Sequence, residues 1–203
     1  MNFRTRFSFI LIFLGVVVAL LPQRDNHGRH LKPKKLSGYV GSTDMFISVD
    51  QVARMVIQQD TTFQLVDLRD SIAHRDMHIP GSINIPFDQV LNPDYEGYLN
   101  QDGIRTILYS NGDLLAMDAW MLITRVGYGH NHVMKGGMNE WFRNIMVSEF
   151  TGEQISPREN AKFEIRYRAR KFFTQMNSLP DSLKTQFLVA KKKKEMELVG
   201  GCE

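Results

Sequence analysis

Apolar positions follow three different regimes along this chain. Phe7 to Leu21 reads FSFILIFLGVVVALL, an unbroken run of fifteen residues without a charge. Gln23 to Gly41 is basic, broken by proline and without periodicity, so it reads as a linker. From about Thr43 onward, short apolar runs alternate with amphipathic stretches. Ser48 and Gln51 stand three apart, a capping-box pair that starts a helix with Val52, Met55 and Val56 on one face. Phe63 to Val66, ending at Asp67, reads as a buried strand, and so do Ser82 to Ile85, Ile104 to Tyr109 and Asn131 to Met134. Ala116 to Val126 reads as a helix, with Gly127 where a glycine ends one. Gly136-Gly137 turns the chain into a further helix carrying Trp141 and Phe142. Short apolar strands between helices imply a parallel sheet covered on both faces. An α/β domain is expected over residues 43–146.

The flanks carry their own signals. A helix crossing the hydrocarbon core needs about 20 apolar residues, and Pro22 stops this run sooner. Behind the two arginines of Met1 to Arg6, residues 1–22 read as a membrane anchor or a cleaved signal peptide. Residues 7–21 would supply the membrane contact, and residues 23–42 the linker. The chain beyond about Lys35 is then expected at the cell membrane or in an extracytoplasmic space such as the periplasm. At the other end, residues 147–203 form a helical extension with a basic tail. Ser156, Pro157 and Glu159 are an N-cap, an N1 proline and an N3 acid. Ile165, Ala169, Phe172 and Met176 then fall on one helical face. That 156–176 helix packs on the domain or serves a protein partner. Lys191 to Lys194 reads as a solvated basic tail or a lipid headgroup contact.

Composition narrows the chemistry. Lys and Arg exceed Asp and Glu by 25 to 22, a net charge of +3, which is no footprint for a nucleic-acid binder. The one cysteine, Cys202, excludes an internal disulfide and a cysteine zinc site. His74 and His78 have helical ligand spacing, and His130 and His132 have strand spacing. Both pairs fall on turns or loops, where hydrogen bonding is the commoner role, so neither a metal nor a cofactor is expected.

Four elements together resemble the rhodanese-like family. Leu65-Val66-Asp67-Leu68-Arg69 resembles its Asp-apolar-Arg strand end, and His78-Ile79-Pro80-Gly81-Ser82-Ile83-Asn84-Ile85-Pro86 its GHIPGAxNIP segment. Gly127-Tyr128 and Lys135-Gly136-Gly137-Met138-Asn139-Glu140-Trp141 resemble its Gly-Tyr and GGxxxW elements, in the same order. The resemblance implies a three-layer fold with a central parallel sheet and a loop after Tyr109 that cradles an anion. In active members it implies a cysteine at the loop start that becomes a persulfide, filled from thiosulfate or another donor. Asp67, Arg69 and His78 would support the loop by charge-assisted hydrogen bonds.

At the nucleophile position this chain has Ser110. The ligand-binding loop then reads Asn111, Gly112, Asp113, Leu114, Leu115, Ala116. A hydroxyl forms no thiolate near pH 7 and carries no persulfide. Leu115 stands about where an anion-binding arginine is expected, and Asp113 adds a negative charge. No G-x-S-x-G elbow surrounds Ser110. The expectation is a catalytically silent module, exported or membrane-tethered, used for binding or scaffolding. The alternative is a thiosulfate-type sulfurtransferase whose carrier is Cys202 or a partner's thiol.

Overall fold

Five short parallel strands carry the fold: β1 (Phe46–Ile47), β2 (Phe63–Asp67), β3 (Ser82–Asn84), β4 (Arg105–Tyr109) and β5 (Asn131–Met134). They lie in the order β1-β5-β4-β2-β3, with Asp67 of β2 paired to Tyr109 of β4 and to Asn84 of β3. This computed structural model describes residues 12–13, 43–149, 156–180, 182–187 and 189–190. The chain divides into two compact units, residues 1–30 and 31–203. Of the first, only Ile12 and Phe13 are described, as helical and exposed. The rest of the apolar run, the whole linker, Lys191 to Lys194 and Cys202 lie outside the described residues. Among those described, no helix is long and apolar enough to cross a membrane.

Alternation along each strand builds two cores. Leu65, Ile107, Tyr109 and Met134 point to one face, where α1 (Val49–Gln58), α5 (Gly137–Trp141) and α6 (Pro157–Asn177) cover them. Val66, Leu108 and Val133 point to the other, under α4 (Asp113–Arg125) with its Ala116, Ala119, Trp120 and Ile123. Successive side chains on opposite faces of a doubly covered sheet explain why adjacent positions such as Leu65-Val66, Ile107-Leu108 and Val133-Met134 are all apolar. Two shorter helices, α2 (Ser71–Asp76) and α3 (Glu96–Leu99), lie in the connections.

Local sequence accounts for the helix ends. Both capping boxes form, at Ser48 with Gln51 and at Ser156 with Glu159. Gly127 follows the last residues of α4 at φ +97°, a left-handed conformation that suits glycine. The α6 face predicted from Ala169, Phe172 and Met176 is buried, with Phe173 added, against the first core. Arg166 fastens it by two hydrogen bonds to Asp50, at 2.6 and 2.8 Å.

Among the elements that differ from the expectation, three have a local cause. β1 is only two residues long and pairs with β5, so it has no periodicity to read. α2 buries none of its residues and carries no apolar face. α4 begins at Asp113 rather than Ala116, because extended Gly112 serves as its cap and Asp113 enters the first turn.

Candidate functional site

The carboxyl edge of the sheet is where an open parallel sheet collects its binding loops. There β4 ends at Tyr109, and the chain turns through Ser110, Asn111 and Gly112 into α4. The backbone of this turn is stapled to α5. The Ser110 carbonyl accepts the Met138 N–H at 2.8 Å, and the Asn111 carbonyl accepts the Asn139 N–H at 3.0 Å. In a trans peptide the C=O and the next N–H point in opposite directions. The N–H groups of Asn111 and Gly112 therefore face away from α5, beside an α4 start that no side chain caps. That arrangement is an amide cradle with the helix dipole behind it.

Two glycines make the staple fit. Gly136 sits at φ +77° and Gly137 at φ +55°. A Cβ on Gly137 would press into the Ser110 carbonyl and lie 2.8 Å from the Asn111 carbonyl carbon. The Asp113 carboxylate accepts the Gly136 N–H. One Asp113 oxygen is thereby tied to the start of α5. Ser110 itself is 5 % exposed, and its hydroxyl has no hydrogen-bond partner among the described residues. Two loop expectations change. Ala116 is fully buried in the second core and Leu115 packs against it, whereas Asn111 is exposed and Leu114, 81 % exposed, stands out into solvent.

The neighbouring connection, from β2 to β3, is held by side chains. Asp67 is fully buried and accepts from Arg69 Nε at 2.9 Å, from Arg69 Nη2 at 2.6 Å and from the Arg69 backbone N–H. His74 Nδ1 meets Oδ2, the oxygen that also takes Arg69 Nη2, at 3.1 Å. Burial alone pushes the Asp67 carboxyl up. The hydrogen bonds from His74 and Arg69, with the Arg69 charge, outweigh it and hold the carboxyl at about 2. Burial likewise opposes the charge on Arg69, and Asp67 more than restores it. Arg69 also donates to the Met77 carbonyl at 2.6 Å. The expectation that Asp67 and Arg69 brace the 110 loop by hydrogen bonds is thereby corrected. Their bonds close the 67–78 segment, and their link to the loop is Arg69 lying 6.0 Å from the centre of the Tyr109 ring.

Tyr109 joins the two connections. Its hydroxyl accepts the Ile79 N–H at 3.3 Å and donates to Ser82 Oγ at 2.9 Å. Burial, with the Asp67 charge next, pushes its pKa far up, so the phenol stays neutral. His78 stacks on His74, with ring centres 4.1 Å apart, and its Nδ1 meets the His74 carbonyl at 2.7 Å. His132 Nδ1 lies 3.3 Å from the Asp44 carbonyl. Among the described residues, no three of His, Cys, Asp and Glu group as a metal site.

With this geometry in view, the comparisons decide the family. The model of the rhodanese-like domain matches residues 48–144. Those residues are a rhodanese-like domain. No curated protein matches the chain. Among solved structures, the BH2092 protein from Bacillus halodurans is 18 % identical over 64 % of this chain and 98 % of its own, at a TM-score of 0.47. A protein of unknown function from Rhodopseudomonas palustris, described as a possible tyrosine phosphatase, is 19 % identical over 54 % and 88 %, at 0.46. A single-domain sulfurtransferase from Saccharomyces cerevisiae is 22 % identical over 48 % and 88 %, at 0.40.

Sequence reasoning placed the loop and the Asp67–Arg69 pair but missed three contributors to the rhodanese-like site. The Tyr109 hydroxyl reads as one more apolar strand position. Gly137 reads only as a turn. Asn177 bonds His78 from 99 positions away, and no local pattern announces it.

Proposed function

We propose that the rhodanese-like domain binds rather than transfers sulfur, as an exported or membrane-tethered binding or scaffolding module. One observation carries this reading: the residue that opens the cradle after β4 is Ser110, a hydroxyl and not a thiol. Sulfur transfer through this position needs a polarizable thiolate formed near neutral pH, and a serine hydroxyl supplies none. The loop also offers no cationic side chain between Ser110 and Ala116 for thiosulfate. With Asp113 engaged by Gly136, the cradle that remains is one of backbone N–H groups. It suits a polar or anionic group held without covalent chemistry. Residues 7–21 would hold the module at a membrane or direct its export.

The test is a steady-state thiosulfate:cyanide assay on the full chain. The expected rate is background, and turnover of about 1 per second or more would overturn the reading. Ser110→Cys by itself is expected to restore little, because the loop still lacks a cation. Activity lost in Cys202→Ser but kept in Ser110→Ala would install the C-terminal thiol as sulfur carrier instead. N-terminal sequencing of membrane and soluble fractions tests the tether. A chain beginning at Met1 in the soluble cytoplasmic fraction would reject it.

A further inference from the structure

We propose that His74, His78 and Asn177 form a proton-sensitive clasp that seats the last turn of α6 on the rhodanese-like domain. The clasp joins two parts of the chain that the family match separates, since α6 lies wholly beyond residue 144. Asn177 closes it. Its Oδ1 accepts the His78 N–H at 3.0 Å, and its Nδ2 donates to the His78 carbonyl at 2.9 Å and to Phe173 O at 2.9 Å. Both groups of one backbone residue are thus held by one side chain, which requires residue 78 to keep its place.

The His78 ring sets that place. Its Nδ1 donates to the His74 carbonyl, and its face lies on the His74 ring at an interplanar angle of 16°. His74 in turn donates from Nδ1 to Asp67, whose carboxylate is already shared with Arg69. A proton arriving at Nε2 of His78 would place a cation against the His74 ring. The charged groups facing it are His74 and Lys184, which oppose that cation, and Asp67, which favours it only weakly. Asn177, reaching in from α6, is neutral. Burial, followed by the His74 charge, therefore holds the His78 imidazole below its ordinary range.

The sign follows from linkage. A histidine easier to protonate when released weakens the docked state on the acid side. Docking is at full strength above the ordinary imidazole value near 6.5 and falls off as pH drops through it toward the lower value of the docked ring. Relief comes when the ring leaves the stack, which moves the residue 78 backbone and opens both Asn177 bonds. Phe172 and Phe173, about one turn before Asn177, and Met176 stay buried in the first core, so what comes loose is the very end of α6.

The experiment is NMR of the isotopically labelled full chain from pH 7.5 to 4.5, following the His78 ring and the Asn177 side-chain amide. Both are expected to move with one midpoint below about 6.5. In His74→Gln that midpoint should rise, because the His74 contribution that opposes protonation is gone. Asn177→Ala should let the His78 ring titrate nearer its ordinary value, with the last turn of α6 exchanging at pH 7.5 as fast, after correction for intrinsic rates, as in wild type at pH 4.5. An Asn177 amide that stays still while His78 titrates would overturn the clasp. So would an α6 transition that persists unchanged in His78→Gln, or an unchanged His78 midpoint in His74→Gln.

Discussion

Two connections leave adjacent strands at the same edge of the sheet and are held in opposite ways. From β2, residues 68–81 are fixed by side chains: a buried carboxylate, a guanidinium, two stacked imidazoles and an asparagine from α6. From β4, residues 110–112 are fixed by main chain, with two carbonyls on the start of α5 and glycine beneath them. The first stores its order in ionic and polar partners and therefore depends on pH. The second stores it in backbone shape and leaves its side chains, those of Ser110 and Asn111, spare. A loop locked by its backbone can change its nucleophile and keep its form.

The sharpest way to break this contrast is Asp67→Ala. It strands a nearly buried arginine, at 9 % side-chain exposure, and should cost about 3–5 kcal/mol in urea unfolding. A loss below about 1 kcal/mol would mean that the side-chain lock is ornamental. Gly137→Ala attacks the other lock. With φ at +55° and the Ser110 carbonyl in the way, it should cost about 2–3 kcal/mol. If it folds with wild-type stability, the backbone staple is not what holds the loop.

Acid separates the two connections without mutation. Asp67 has a depressed carboxyl, so its contribution is complete above the ordinary value of 3.8 and is lost as pH falls toward about 2. The amount is about 2 kcal/mol, absent in Asp67→Asn. A pH dependence in that window that survives the Asn substitution would place the titrating group elsewhere. The smallest effect is expected at the cradle. Ser110→Ala should change stability by no more than about 0.5 kcal/mol, since among the described residues its hydroxyl has no hydrogen-bond partner to lose. A cost above 1 kcal/mol would show that the serine carries structure after all.

Much of this architecture is legible in residue order, because it rests on short-range physics. Strands covered on both faces carry adjacent apolar residues at their centres, so β2, β4 and β5 announce themselves. Serine followed three residues later by Gln51 or Glu159 closes a capping box within one turn. β1 and α2 escape notice because one is two residues long and the other buries nothing. At the site, the identity of residue 110 could be read directly, but the engagement of Asp113 could not. An acid in that position looks the same whether it faces a ligand or the Gly136 amide.

Residue order by itself determined the parallel α/β plan, the glycine pair and the hydroxyl at the end of β4. Each is a matter of local conformation or of atoms present. Only the tertiary structure decided that Tyr109 spans to Ile79 and Ser82, that Asp113 caps Gly136, and that Asn177 grips His78. Hydrogen-bond partners distant along the chain are chosen by which surfaces pack together, and no window of neighbouring residues contains that information.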